Sequence, residues 1–424
     1  MAARMSLAER IARWAVMLSG GLLAVGLGYS TVYRAGPHTL AGKTWGSTEH
    51  RTDFTAYQQA GHAVLDGVDI YDAHSVRGWY FMYLPAFAVA MAPFALVNTF
   101  WAVLAWYVLS VAMFAHAVHL SARLARRVVP ATTLSDFWLH VVTGLLIARP
   151  SISGIARGQA SSLVTYLVVL SVWLYVERRE WFAAFCLAGS IVLKIFPALL
   201  GVYFLAKRRW TMVIATGLWL ILLVWIAPSA VFGVRGNVAL LQRWVTTIAL
   251  PANQPDESAG NVRYGQMIDP RIPRNQSVQA VLIRAFGGDE REPLARRVAL
   301  AINAGLALVA MWACRQGRAD NGAPATVVQL CVVAMLMLFL SPVSWNHNYT
   351  ALVLPLALAA AAATVRMPVP ARRVFRLTLA AYFGLSIVSM PVKPLYAYGA
   401  LLWGALAVWA AFVWWLMRRD TRTS

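Results

Sequence analysis

The 424-residue chain is short of charge. Only 13% of its residues are Asp, Glu, Lys or Arg, about half the share of an ordinary soluble domain. Acids are the scarcest, 17 against 37 Lys and Arg, which leaves a formal net charge of +20. With 60% hydrophobic residues, a chain this poor in charge cannot keep a folded surface wetted. A cytosolic enzyme, a nucleic-acid factor and a disordered chain are thereby excluded. Cysteine is also sparse: Cys186, Cys314 and Cys331 form an odd set in or beside apolar runs, without metal-ligand spacing, and read as packing residues. There is no tandem repeat and no low-complexity tract, and nothing marks off a soluble domain, so residues 1–424 read as one integral-membrane unit. No small-x-small cleavage site follows the first apolar run, Trp14–Tyr33. With Arg4, Arg10 and Arg13 before it, that run reads as a retained signal anchor.

What the chain has is apolar runs, from 12–33 to 396–417, alternating with short basic turns. Placing the N-terminus in the cytoplasm makes every turn on that side short and basic, while the long outer segment 230–296 also holds arginines among its acids. The cytoplasmic clusters are Arg123/Arg126/Arg127, Arg178/Arg179, Lys207/Arg208/Arg209, Arg315/Arg318, Arg366/Arg372/Arg373/Arg376 and Arg418/Arg419/Arg422. The positive-inside rule is then obeyed throughout, with both termini cytoplasmic. The basic excess therefore serves topology, not nucleic acid. The expected fold is an all-α polytopic bundle of about twelve transmembrane helices. Several runs are shorter than the ~20 residues a straight span needs, which predicts short, broken helices lining a protein cavity. Two long polar segments, 34–81 and 230–296, fall outside. The apolar stretch Tyr83–Val97 reads as a helix at the outer interface, extending the first outer loop to 34–98.

The unusual polar residues converge on one face. Asp53, Tyr83, Gln159, Lys194, Asn275 and the run Ser341–His347 are scattered in sequence, yet the topology puts all of them at outer ends of spans. That predicts a single outward-facing site. Asp53 suits a general base that accepts a proton from an acceptor hydroxyl; the alternative is a loop acid paired with Arg51 or capping a helix. Lys194, at a break between two short runs, is either a snorkelling lysine or a point charge for a phosphate. Gln159 either caps a helix or bonds a sugar hydroxyl. Trp345 and Tyr349 fit an aromatic belt. His347, between Asn346 and Asn348, suits a phosphate or sugar contact, or hydrogen-bond donation to a leaving oxygen.

In order and spacing these words resemble glycosyltransferase family 87, integral-membrane enzymes of the GT-C fold. They are Asp53-Phe54 with Tyr57; Leu65-Asp66-Gly67-Val68-Asp69-Ile70-Tyr71; Met82-Tyr83-Leu84-Pro85 with Met91-Ala92-Pro93; Gly158-Gln159; Leu193-Lys194-Ile195-Phe196-Pro197 with Arg208-Arg209-Trp210; Asn275-Gln276-Ser277; and Ser341-Pro342-Val343-Ser344-Trp345 with His347. This chain has Tyr83-Leu84-Pro85 where the family often has Tyr-Pro-Pro, and Lys194-Ile195-Phe196-Pro197 where it often has Lys-Pro.

The resemblance implies transfer of a hexosyl unit, mannosyl, or alternatively of an arabinofuranosyl unit, from a polyprenyl-phosphate donor to a glycolipid or glycan hydroxyl. Asp53 takes the role of base, and Lys194, Asn275, Trp345 and His347, with Gln159 and Tyr83, surround the substrates. No Asp-x-Asp pair accompanies Asp53, so neither a metal nor a cofactor is implied. The implied place is a bacterial plasma membrane, with the site facing the periplasm. One carboxylate suffices for a single displacement with inversion. A lipid-linked sugar transporter would share the spans, but its polar residues belong near the bilayer midplane on two related halves, and this chain shows neither. A structural scaffold leaves the outer polar cluster unexplained.

Overall fold

The computed structural model describes residues 7–40, 43–46, 52–75, 78–250, 269–315, 324–365 and 369–420. Arg51, the alternative partner for Asp53, and Arg318, Arg366 and Arg422 of the basic clusters lie outside the described residues.

Length and composition decide which helices can cross a bilayer. A 30 Å hydrocarbon core takes about 20 residues at 1.5 Å rise. Six described helical stretches meet that: Glu9–Arg34, Thr99–Val128, Asp136–Ile155, Trp210–Ala249, Asp289–Cys314 and Ala400–Arg418. Four shorter apolar helices accompany them: Pro85–Ala95, Ser161–Val176, Glu180–Leu193 and Pro324–Phe339. The hydropathy pattern expected about twelve spans. The remaining runs form a 9-residue helix, Ala198–Ala206, a 12-residue helix, Val353–Thr364, and Val369–Val388, which carries Arg372, Arg373 and Arg376.

The shortest helices occupy the middle of the bundle. Every residue of Pro324–Phe339 from Thr326 onward is buried, as are Val353–Ala363. Both are apolar on all sides, which fits helices surrounded by protein. Five consecutive alanines, Ala359–Ala363, let the second approach its neighbours closely. Conversely, the first helix, α1 (Leu7–Arg34), exposes Leu18, Leu22, Val25 and Tyr29 along its length, as a helix bathed in lipid does.

The two ends of the bundle differ in chemistry. At one end the basic turns are tied by ion pairs: Arg126 to Asp136 (2.5 Å), Arg127 to Glu177 (2.5 Å) and Arg209 to Glu180. These bonds join the C-terminus of α4 (Thr99–Val128) to the N-terminus of α5 (Asp136–Ile155) and the C-terminus of α6 (Ser161–Val176). At the opposite end, α5 turns into α6, and α7 (Glu180–Leu193) breaks before α8 (Ala198–Ala206). There Pro342 and a 3-10 turn, Asn346–Leu352, separate the two central helices.

The outer segments are more ordered than loops. Residues 34–98 hold a two-stranded hairpin, β1 (His38–Leu40) with β2 (Lys43–Trp45), and two helices, α2 (Phe54–Asp66) and α3 (Pro85–Ala95). Helix α2 lies flat on α3, where a Cβ on Gly61 would sit 2.6 Å from the Met91 carbonyl. Gln58 Nε2 closes the C-terminus of α3 by donating to Phe94 O (3.0 Å) and Val97 O (3.1 Å). Phe54, Tyr57, Phe87 and Trp106 form one aromatic cluster that seats the pair on α4. The second segment, expected as a loop over 230–296, is instead helical up to Ala249, with a break at Gly233, and again over Val278–Phe286.

The α5–α6 turn docks on α2 through Gly158. Its φ of +62° and a Cβ position 2.8 Å from Phe54 Cβ leave room for glycine alone. Gly158→Ala should cost about 1–2 kcal/mol in left-handed strain before Phe54 moves at all. The expected result is a Tm in detergent lower by several degrees; an unchanged Tm would show that the turn relaxes freely.

Candidate active site

Four helix ends deliver the site. Asp53 occupies the N-cap position of α2, but its side chain makes no capping bond. Its own amide donates instead to Arg157 O (2.7 Å), and Trp106 Nε1 donates to Gly158 O (3.0 Å). The α5–α6 turn thus holds the acid by its backbone and leaves the carboxylate for other work. The side chain is buried, and its Oδ1 has no hydrogen-bond partner among the described residues. A buried carboxylate oxygen without a donor is costly, so its persistence points to a functional demand. Burial pushes the Asp53 carboxyl up to about 7, against the opposing pull of Arg157 and then Lys194.

Lys194 is the residue where α7 ends, in extended conformation, and its Nζ donates to Asn348 Oδ1 (2.6 Å). It also lies within electrostatic reach of Asp53. The lysine lines a cavity with Ser161, Thr165, Ser341, Ser344, Asn348 and Thr350, whose other walls are Val164, Val168, Phe196, Pro197, Met337, Leu338 and Ala351. A cation therefore stands in a wall that combines hydroxyl and amide groups with apolar side chains.

His347 is buried beside the same turn, its Cβ 3.3 Å from where a Cβ on Gly154 would lie. Burial first, then Lys194 and Arg157, press its imidazole well below the usual range, so the ring is neutral and keeps one N–H to donate. Asn346 accepts from the Tyr396 hydroxyl (2.9 Å) and Asn348 from Lys194. Of the three polar neighbours, His347 is the one whose side chain makes no hydrogen bond to a described residue.

The other expected residues take different places. Asn275 is fully buried, and both ends of its amide serve the backbone. Nδ2 donates to Pro342 O (3.2 Å), while Oδ1 accepts from Ser344 N (3.0 Å) and Ser277 N (3.2 Å). With the bridge to Trp345 and the Tyr349 hydroxyl on Gln276 O (2.7 Å), it clasps the end of the second outer segment onto the Ser341–Trp345 turn. Tyr349 is accordingly in the core rather than in an aromatic belt, and Trp345 is half-buried next to the clasp. Tyr83 faces Tyr57, hydroxyl to hydroxyl at 3.0 Å, and this pair feels the charge of Asp53. Gln159 is not the cap of α6, since Ala160 holds that position; its amide, half-buried, bonds no described side chain.

Arg157 is the site residue that sequence reasoning passed over. It stands one position before Gly158-Gln159, acts on both Asp53 and His347, and makes no side-chain hydrogen bond to a described residue. The available signal was an arginine at an outer helix end, away from every cytoplasmic cluster. The Asp69-Ile70-Tyr71 word is structural: Asp69 Oδ1 accepts from Tyr71 N (2.9 Å), and Arg243 pairs with Asp69 and with Asp72 (2.7 Å). No group of three or more His, Cys, Asp or Glu among the described residues is arranged to hold a metal.

A raised carboxyl value links stability to pH. The folded state holds the Asp53 proton that the unfolded chain, with an ordinary value near 4, has released. That stabilisation is complete below about pH 4 and lost as pH rises through about 7. The Tm of wild type should fall between pH 5 and 8 relative to that of Asp53→Asn; parallel curves would place the carboxyl in a wetter setting.

The sequence model of glycosyltransferase family 87 matches residues 81–342. Tyr83, Gln159, Lys194 and Asn275 lie inside that segment, Asp53 and His347 outside it. The chain is similar to the polyprenol-phosphate-mannose-dependent alpha-(1-2)-phosphatidylinositol mannoside mannosyltransferase of Mycobacterium tuberculosis, 26% identical over 417 residues, which cover 93% of this chain and 87% of that protein. The protein of the same description from Mycolicibacterium smegmatis is 28% identical over 421 residues, covering 89% and 86%. Among solved structures, ArnT from Cupriavidus metallidurans bound to undecaprenyl phosphate aligns at 15% identity and a TM-score of 0.38, over 95% of this chain and 76% of that one.

Proposed function

The chain belongs to glycosyltransferase family 87, and from that premise we propose that Asp53 is the base of an inverting transfer of a mannosyl unit from a polyprenyl-phosphate donor to a glycolipid or glycan hydroxyl. The observation that carries this reading is the buried Asp53 carboxylate, with a free oxygen, within electrostatic reach of Arg157 and Lys194, the same two cations that act on His347. The relatives' names supply the donor class, polyprenol-phosphate mannose, and an acceptor class, phosphatidylinositol mannosides.

The chemistry needs few parts. Asp53 takes the proton of the acceptor hydroxyl as its oxygen bonds to the anomeric carbon. The bond from that carbon to the donor phosphate oxygen breaks in the same displacement, and the phosphate leaves on the prenyl chain. Lys194 Nζ offsets the charge that develops on it, and the neutral His347 ring donates an N–H to a leaving or sugar oxygen. The apolar walls from Val164 to Leu338 receive the first prenyl units. Because the base must be deprotonated, turnover rises with pH through about 7.

The site faces outward, away from the cytoplasm, and the lipid-linked donor reaches it through the bilayer. Support comes from the ion-paired basic turns at the opposite end of the bundle. A cysteine introduced as Arg208→Cys, at an exposed position, should stay shielded from an impermeant thiol reagent in intact cells, while one introduced as Lys43→Cys, also exposed, is labelled. Labelling at 208 without permeabilisation overturns the orientation.

Asp53→Asn keeps the shape and loses the proton acceptor. Turnover should fall by about 10²–10⁴-fold while donor binding survives. Asp69→Asn, which breaks the bond to Arg243, should instead lower stability. Near-wild-type transfer by a folded, donor-binding Asp53→Asn protein removes the assignment. Lys194→Met should weaken donor binding by about 1.5–3 kcal/mol, the loss of a charge-assisted bond; intact affinity would move the phosphate elsewhere. A transporter would release no polyprenyl phosphate in either experiment.

A further inference from the structure

Three arginines from distant parts of the chain meet at the outer end of the bundle. Arg34 closes α1, Arg157 sits in the α5–α6 turn, and Arg274 precedes the Asn275 clasp. The core holds them together: Val32 and Ala35, on either side of Arg34, pack in one cluster with Phe54 and Ala160, on either side of the Asp53–Arg157 contact. On the other flank, Gln276 Nε2 donates to Tyr396 O (2.7 Å), and Tyr396 bonds Asn346, which brings residue 274 beside the His347 turn. Arg34 and Arg274 are exposed and Arg157 is half-buried.

None of the three side chains makes a hydrogen bond or ion pair to a described residue. The acids nearby are engaged elsewhere: Asp69 and Asp72 with Arg243, Asp289 and Glu292 with Arg271. Among the described residues Asp53 and then Tyr396 offset Arg157, while the like charges of Arg274 and Arg34 act against it. Three guanidinium groups gathered around one described carboxylate make a focused positive field suited to an anion. Neither Arg34 nor Arg274 lines the cavity that holds Lys194.

The geometry points to Arg34, Arg157 and Arg274 as the site for the phosphodiester of an anionic lipid acceptor, distinct from the Lys194 position for the donor phosphate. This rests on the glycosyl-transfer reading and names the acceptor's chemical class. A lipid source is favoured over free phosphate by position. Two residues before Arg34, Val32 joins Gly28, Tyr29, Phe100 and Leu104 in an apolar crevice between α1 and α4, and α1 is lipid-facing along its length. A lipid lying in that crevice has its headgroup at Arg34. The Arg157 carbonyl accepts the Asp53 amide, so an anion on the Arg157 guanidinium holds the headgroup sugar beside the base.

The test uses the purified full chain and two acceptors with the same terminal mannose, one on phosphatidylinositol and one on an uncharged dialkylglycerol. Arg34→Gln and Arg274→Gln, both exposed, should each raise KM for the anionic acceptor about tenfold or more, with kcat, donor KM and the KM of the uncharged acceptor unchanged. Equal losses on both acceptors, or a shift in donor KM, overturn the proposal. Direct binding in the absence of donor separates it from the transfer reading. Dioctanoyl phosphatidylinositol should bind wild type and not the double variant, dioctanoylglycerol should bind neither selectively, and inorganic phosphate should compete only weakly. Retained binding by the double variant, or phosphate binding as tightly as the lipid, also overturns it, whether or not mannose is transferred.

Discussion

The bond from the Asp53 amide to the Arg157 carbonyl is the contact on which the outer end of the molecule turns. It fixes Asp53 by its main chain, so the carboxylate spends nothing on its own placement. For this bond to form, the α5–α6 turn must come within van der Waals contact of Phe54, and the positive φ of Gly158 makes that approach possible. The same contact brings the Arg157 side chain to the carboxylate, and with it the field that partly offsets burial.

Behind that contact stands the bilayer. Hydrocarbon tolerates no exposed main-chain polar group, so irregular backbone at membrane depth survives only inside protein. The break after Leu193, half-buried apart from the exposed Ile195, delivers Lys194, and the turn at Pro342, between the two most buried helices, delivers His347. The clasp at Asn275 meets the same demand: its amide satisfies Ser344 N and Pro342 O, which the broken helix leaves unpaired. A polar side chain that looks like a substrate ligand in sequence is here part of the turn that presents His347.

Electrostatics divides the molecule along the same axis. At the end opposite the site, arginines are neutralised by Asp136, Glu177 and Glu180. At the site end, Lys194 bonds a neutral amide and Arg157 bonds no described residue. Cations without acids, next to a carboxylate that holds its proton up to about 7, suit a reaction that brings phosphate in and moves one proton.

The sequence by itself determined the class of the molecule. Low charge and long apolar runs require a membrane bundle, because transfer free energies add residue by residue. The order of Asp53, Lys194 and His347 along the chain, with their shared place at helix ends, was enough to single out an acid and an imidazole that the fold brings within reach of one lysine. Only the tertiary structure decided which polar residues face substrate and which face backbone. Asn275 and Lys194 look alike in sequence as polar residues beside a broken run, yet one is consumed by a clasp and the other is aimed into a cavity. Arg157 and the arginines at 34 and 274 were illegible for the same reason: a charge has meaning only through its neighbours, and theirs come from segments more than a hundred residues apart. The helix expected over Tyr83–Val97 is there as Pro85–Ala95, whereas Phe54–Asp66 and, in the second segment, Val278–Phe286 escaped notice because their apolar faces are packed against protein, a contact that composition cannot distinguish from exposure to lipid or water.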